Sequence, residues 1–146
     1  MPSAIITYDL YIRASAEAIW DALTNPDLTQ RYWAETRIES DWKVGSTILY
    51  VRRGEITDAQ EILEIDPPRL LRHTFKPLFG EFRDEAASLV RLEILPGGEV
   101  SHLRLRHDQF PPESRVFPAC SVGWPRILSS LKSLLETGKA LPDVID

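Results

Sequence analysis

Apolar residues recur at spacings of three and four through Trp124, Ile127, Leu128, Leu131, Leu134 and Leu135, with Arg126, Ser129, Ser130, Ser133 and Glu136 between them. At 3.6 residues per turn this is the strongest helical stripe in the chain, and a stripe so broad must be buried against another layer. Upstream the period changes to two. Ile6, Tyr8, Leu10 and Ile12 alternate with Thr7, Asp9, Tyr11 and Arg13, which predicts a strand with one dry face. Val90, Leu92, Ile94, Leu103 and Leu105 share one parity, whereas Arg91, Glu93, Arg104 and Arg106 share the other. Strands over 87–95 and 100–110 therefore face a core on one side and water on the other, joined at the hairpin Pro96-Gly97-Gly98-Glu99.

Turn residues divide the remainder. Ser15 is placed as an N-cap, with Glu17 in the first turn and Ile19, Trp20 and Leu23 as the buried stripe of a helix that ends at Asn25-Pro26. Leu28, Tyr32 and Trp33 predict a second short helix. Trp42 to Ser46 reads as a strand end and turn, Thr47 to Arg53 as a strand, Gly54 as a bend, and 57–65 as a strand closed by Asp66-Pro67-Pro68-Arg69. A strand over 70–76 leads into a loop, 77–85, whose Phe79 and Phe82 are placed to fold over an opening. Pro125 leaves two alternatives for the last helix: an early start near Pro118 with a kink, or a late start near Val122, the latter form or a kinked one being favoured. Lys139 to Asp146 has little to anchor it.

This order of elements predicts an α+β chain of one domain, 1–146, in which a curved antiparallel sheet wraps a long C-terminal helix, with two short helices after the first strand. A sheet curved around a helix leaves a cavity between the two layers, where a small molecule fits. Parity and position place Trp33, Tyr50, His73, Phe75 and Leu92 along that cavity from the sheet side, together with Leu103 and Leu105. Trp124, Leu128 and Leu131 line it from the helix.

Charge and composition narrow the partners. A net charge of -5 repels polyanions, and the strand arginines lie among glutamates, so nucleic acid is excluded as a partner. The N-terminus lacks a basic segment followed by a long apolar run, and nowhere do enough apolar residues occur together to span a membrane. The single Cys120 forms no intramolecular bridge and fits a reducing, cytoplasmic setting. His102 and His107 are five apart, hence on opposite faces of a strand, and no Cys or His stands at ligand spacing, so neither a metal nor another cofactor is expected. His107, at a strand end, is read as hydrogen-bonded to the following loop. Glu61 and His73 are the weak catalytic candidates, an acid-base pair meeting across neighbouring strands. No nucleophile elbow or phosphate loop occurs.

Ser15-Ala16-Glu17-Ala18-Ile19-Trp20-Asp21-Ala22-Leu23-Thr24-Asn25-Pro26, Tyr32-Trp33, Leu63-Glu64-Ile65-Asp66-Pro67-Pro68-Arg69-Leu70, His107-Asp108-Gln109-Phe110 and Gly123-Trp124 resemble the START-like (SRPBCC, birch-pollen-allergen-like) superfamily. Within it they look like the branch related to the activator of the ninety-kilodalton heat-shock-protein ATPase. The resemblance covers essentially the whole chain and implies a helix-grip fold with a cavity for a small lipophilic ligand. It also implies two alternatives, a polyketide cyclase or dehydratase activity and a chaperone-accessory role. A homodimer through Phe79 and Phe82 is the further partner expectation. Pro125 and the long segment 76–85 depart from the family pattern, both where a cavity entrance would lie.

Overall fold

The computed structural model describes residues 4–145; Met1 to Ser3 and Asp146, at the ends of the two terminal stretches read above, lie outside the described residues. Seven strands form one antiparallel sheet: β1 (Ile6–Ile12), β2 (Thr36–Glu39), β3 (Thr47–Arg52), β4 (Glu55–Asp66), β5 (Leu70–Phe75), β6 (Ser88–Leu95) and β7 (Ser101–Asp108). Strands β2 to β7 run as a meander, and β1 closes the far edge against β7. Helices α1 (Ala16–Thr24) and α2 (Pro26–Tyr32) fill the connection from β1 to β2, and α3 (Val116–Thr137) is held by the curled sheet. This is the α+β helix-grip arrangement.

Local chemistry accounts for each boundary. The Ser15 hydroxyl accepts from the Ala18 N–H at 3.1 Å and caps α1. Asn25 ends that helix and caps the next, accepting from the Asp27 N–H at 3.0 Å, while Pro26 stands in the first turn of α2, where its missing N–H is harmless. Arg53 and Gly54 both take left-handed conformations between β3 and β4, as a two-residue hairpin requires. Register shifts after Tyr50 and between Ile62 and Glu64 add local twist and help the sheet curl.

The alternation then sets the core. Ile62, His73, Val90, His107 and Ile6 stand opposite one another across five strands, and Leu71, Leu92, Leu105 and Tyr8 form the neighbouring row. Ile127, Leu128, Leu131 and Leu134 of α3 pack onto these rows and are buried.

Several expectations are corrected. Strand β2 follows Trp33 without a clear period because only four residues pair. Trp20 is half-buried, since Ala16 and Ala22 complete the dry face of α1 beside Ile19 and Leu23. Helix α3 starts early, at Val116, and runs through Pro125. Its start is held from outside: the Glu85 carboxylate accepts from the Arg115 N–H at 2.7 Å and the Val116 N–H at 3.2 Å, satisfying amides that have no partner within the helix. The chain after the helix is anchored as well. Ser130, placed by periodicity on the wet face, is fully buried and accepts from the Leu141 N–H at 3.0 Å, and Val144 is buried in the core.

Candidate functional site

The layers separate at one end of the fold. Between β3, β4 and β5 on one side and the first half of α3 on the other lies a cavity of about 500 Å³. Its deep wall is aromatic. Trp33 lies edge-on to Tyr50 at 5.3 Å between ring centroids and to Trp124 at 5.5 Å. Phe75 stands 6.5 Å from Tyr50 and 6.1 Å from Trp124, which closes a circuit of four rings. From the β5–β6 loop, Pro77, Phe79 and Phe82 form another wall, and Val144 and Ile145 of the tail complete it. The cavity reaches the surface where Phe79 and Val122 are 46% and 54% exposed.

The loop that carries the two phenylalanines is tied down from both sides. Lys76 Nζ donates to the carbonyls of Arg83 and Glu85, and the Glu85 side chain caps α3. Phe79 and Phe82 then pack edge to face at 5.4 Å over the opening. A loop with a free backbone at this position would expose both rings to water; these bonds hold them at the rim.

One carboxyl stands in the lining, which also holds Thr36, Thr57, Arg52 and Arg126. Asp58 is 95% buried, directly across the ladder from Tyr50, and it accepts from Thr57 Oγ1 at 2.8 Å and from Gln60 Nε2 at 3.4 Å. The orientation of Gln60 is fixed because its Oε1 accepts from the Lys76 N–H at 2.5 Å. Burial pushes the Asp58 carboxyl up to about 6, against the opposing pull of the Thr57 and Gln60 hydrogen bonds. Burial, then Asp58 and Glu85, push the Cys120 thiol up to about 12, so this cavity-lining cysteine is no thiolate nucleophile.

A raised Asp58 has a defined linkage sign. The folded protein holds this proton up to about pH 6 and the unfolded chain releases it near 3.8, so this group's contribution to stability falls as pH rises between those values. Above pH 6 the penalty is complete, on the order of 3 kcal/mol for a carboxyl moved from 3.8 to about 6. Asp58→Asn is therefore expected to stabilise the protein at pH 7 by up to about 3 kcal/mol and to give little at pH 4, as read from urea unfolding of the variant against the parent at both pH values. Equal effects at the two pH values would show that the carboxyl is not strained by burial. A carboxyl that weakens its own fold is one mark of a site kept for another purpose.

The two inward histidines are placed differently from the sequence expectation. Trp124 Nε1–H donates to His107 Nδ1 at 3.0 Å, which leaves the His107 proton on Nε2 to donate to Ser88 Oγ at 2.7 Å. His107 thus ties the helix to the sheet interior and is not bonded to the loop after it. His73 donates from Nδ1 to the Thr74 carbonyl at 2.6 Å. Burial pulls His73 down to about 4 and His107 to about 3, the latter also opposed by His73, so both are neutral.

Of the ten residues expected along the cavity, Trp33, Tyr50, Phe75 and Trp124 line it. His73, Leu92, Leu103, Leu105, Leu128 and Leu131 do not; they lie where α3 and the sheet are in contact and fill that space as closed core. Glu61 and His73 do not meet. The register sets His73 opposite Ile62, which puts the neighbouring Glu61 on the outer face, where it is exposed. Trp42 packs against the core away from the cavity. Asp58, Gln60 and Cys120 were missed, although Asp58 and Gln60 share the inward parity of Ile62, and polar residues at inward positions of a strand are a readable signal.

Among the described residues no three His, Cys, Asp or Glu side chains converge as metal ligands, and no helix is long and apolar enough to cross a membrane.

Residues 13–136 match the family described as activator of Hsp90 ATPase homolog 1-like protein. No curated protein matches the chain. Among solved structures, the Aha1 dimer from Colwellia psychrerythraea is similar at a TM-score of 0.76 and 23% identity, over 94% of this chain and 99% of that one. CalU16 from Micromonospora echinospora is similar at 0.75 and 21% identity, over 97% and 80%. An HSP90 activator from Plasmodium falciparum is similar at 0.75 and 21% identity, over 90% and 95%. At these identities the solved structures speak for the fold alone, whereas the family match spans most of the sequence. The chain belongs to the activator of Hsp90 ATPase homolog 1-like family, within the START-like superfamily.

Proposed function

We propose that this protein binds a small hydrophobic molecule between the β3–β5 end of its sheet and the first half of α3. The observation that carries the reading is the four-ring wall facing about 500 Å³ of space that the core leaves unfilled. The cavity opens to the surface, and a largely apolar wall left facing water is unfavourable unless something covers it. An aromatic wall offers flat, polarisable surface at little entropic cost, which suits a ring or an alkyl chain.

Gly123 supplies the test. It lines the cavity from within α3, and a Cβ built there meets nothing within 4 Å. Gly123→Leu is expected to extend into the ligand space while removing a glycine from a helix interior, which stabilises by roughly 0.5–1 kcal/mol. Thermal shifts of delipidated protein against fatty acids, sterols, flavonoids and polycyclic aromatics identify the ligand class; at 100 times its dissociation constant a ligand adds about 2.7 kcal/mol. The variant should fold at least as well as the parent and lose that shift. Unchanged binding by Gly123→Leu would move the ligand elsewhere, and the absence of a shift with every class would remove the proposal.

A further inference from the structure

The proposed cavity is mostly apolar, and the one acidic side chain in its lining, the buried Asp58, gives it a preference. Resting on the ligand-binding reading above, we propose that Asp58 selects lipophilic molecules that carry a protonated amine. Three observations lead there. First, Asp58 is held in place by neutral donors only, Thr57 Oγ1 and Gln60 Nε2, and has no ion-pair partner among the described residues. Two hydrogen bonds leave roughly half of a carboxylate's acceptor positions open, and Asp58 is itself part of the cavity lining.

Second, the surroundings favour positive charge over a neutral donor. Tyr50 stands opposite Asp58 in the ladder, and Trp33, Phe75 and Trp124 continue the ring wall from it. Ring faces attract a desolvated cation, and a charge-assisted hydrogen bond is about twice as strong as a neutral one. An alcohol would satisfy one acceptor position and leave the buried charge uncompensated; an ammonium does both. A carboxylate ligand would meet like charge in a low-dielectric space.

Third, the cationic residues that share the lining make no ion pair or hydrogen bond with Asp58. Arg52 lies two positions beyond Tyr50 on β3, across from Glu55, and Arg126 is an exposed side chain of α3. Neither forms an ion pair with the carboxylate, and the buried Arg52 Nε has no hydrogen-bond partner among the described residues, so the counter-charge at Asp58 is left to the ligand.

Matched ligands test this without knowledge of the natural one. Decylamine, decanol and decanoate share a chain and differ in the head group, and their affinities for delipidated protein are measured by calorimetry below their micellar limits. Decylamine is expected to bind at least about tenfold more tightly than decanol, the increment of one charge-assisted contact, and decanoate reports separately on the lining's Arg52. Asp58→Asn is expected to bring the amine-to-alcohol ratio close to one, and Asp58→Glu, which keeps the charge, to retain most of it. Both variants are first shown to unfold cooperatively. An amine no better than the alcohol, or a preference that survives Asp58→Asn, overturns the inference while leaving a hydrophobic cavity standing. Binding of none of the three overturns the cavity reading and the inference together.

Discussion

Trp124→Ala is expected to lower stability by about 3–5 kcal/mol and the unfolding midpoint by on the order of 10 °C or more for a chain of this size. Trp124 contributes on three counts. Its ring is 3% exposed and packs edge-on to Trp33. Its N–H is the donor that fixes the His107 proton on Nε2. It also forms the helix side of the ring circuit, so its loss merges a new void with the existing cavity. Trp124→Phe separates these contributions. It keeps an aromatic ring and drops the N–H, leaving His107 Nδ1 buried without a donor, at about 1–3 kcal/mol. Urea unfolding of both variants measures the difference. Equal, small losses would mean that the helix-to-sheet contact at this point is loose.

Leu128→Trp is expected to destabilise by about 1–3 kcal/mol or more, as overpacking of a filled core does. The helical stripe alone suggests the reverse, that a tryptophan at 128 or 131 would occupy a ligand cavity and leave the fold intact. Leu128 and Leu131 are each 0% exposed and belong to the same buried core as Leu103 and Leu105, outside the cavity lining. A larger side chain there finds no space and must move backbone or adopt a poor rotamer. Gly123, five residues before Leu128, faces open volume instead. Thermal unfolding of the two variants side by side gives the check: Leu128→Trp should melt well below the parent and Gly123→Leu at or above it. A Leu128→Trp protein of parental stability would extend the cavity further along α3 than the packing allows.

Much of the architecture was legible because it depends on short-range regularities. Periods of two and of three to four, the Ser15 cap, the Asn25-Pro26 junction and the Pro96-Gly97-Gly98-Glu99 turn each report a local backbone preference. Parity likewise separated Val90, Leu92 and Ile94 from Arg91 and Glu93 correctly. Misreadings arose where one element's environment is made by a distant one. Ser130 is buried because the tail returns over it, Glu85 caps a helix some thirty residues later, and Pro125 is tolerated within a helix whose start is held by that cap.

The site shows the same division. That Trp33, Tyr50, Phe75 and Trp124 face inward was readable from the residues, since inward direction follows from parity and helical phase. The sequence also carried, unread, the inward parity of Asp58 and Gln60. It took the packing of distant elements to gather the four rings and Asp58 at an open end, with Gln60 bonded to Asp58, while His73, Leu92, Leu103, Leu105, Leu128 and Leu131 close the other. The register of β4 against β5 likewise turns Glu61 away from His73. Whether an inward side chain meets a neighbour or a void depends on the local separation of sheet and helix. That separation is set by sheet curl, by β-bulges and by the loop tied to α3, none of which any single stretch of residues encodes.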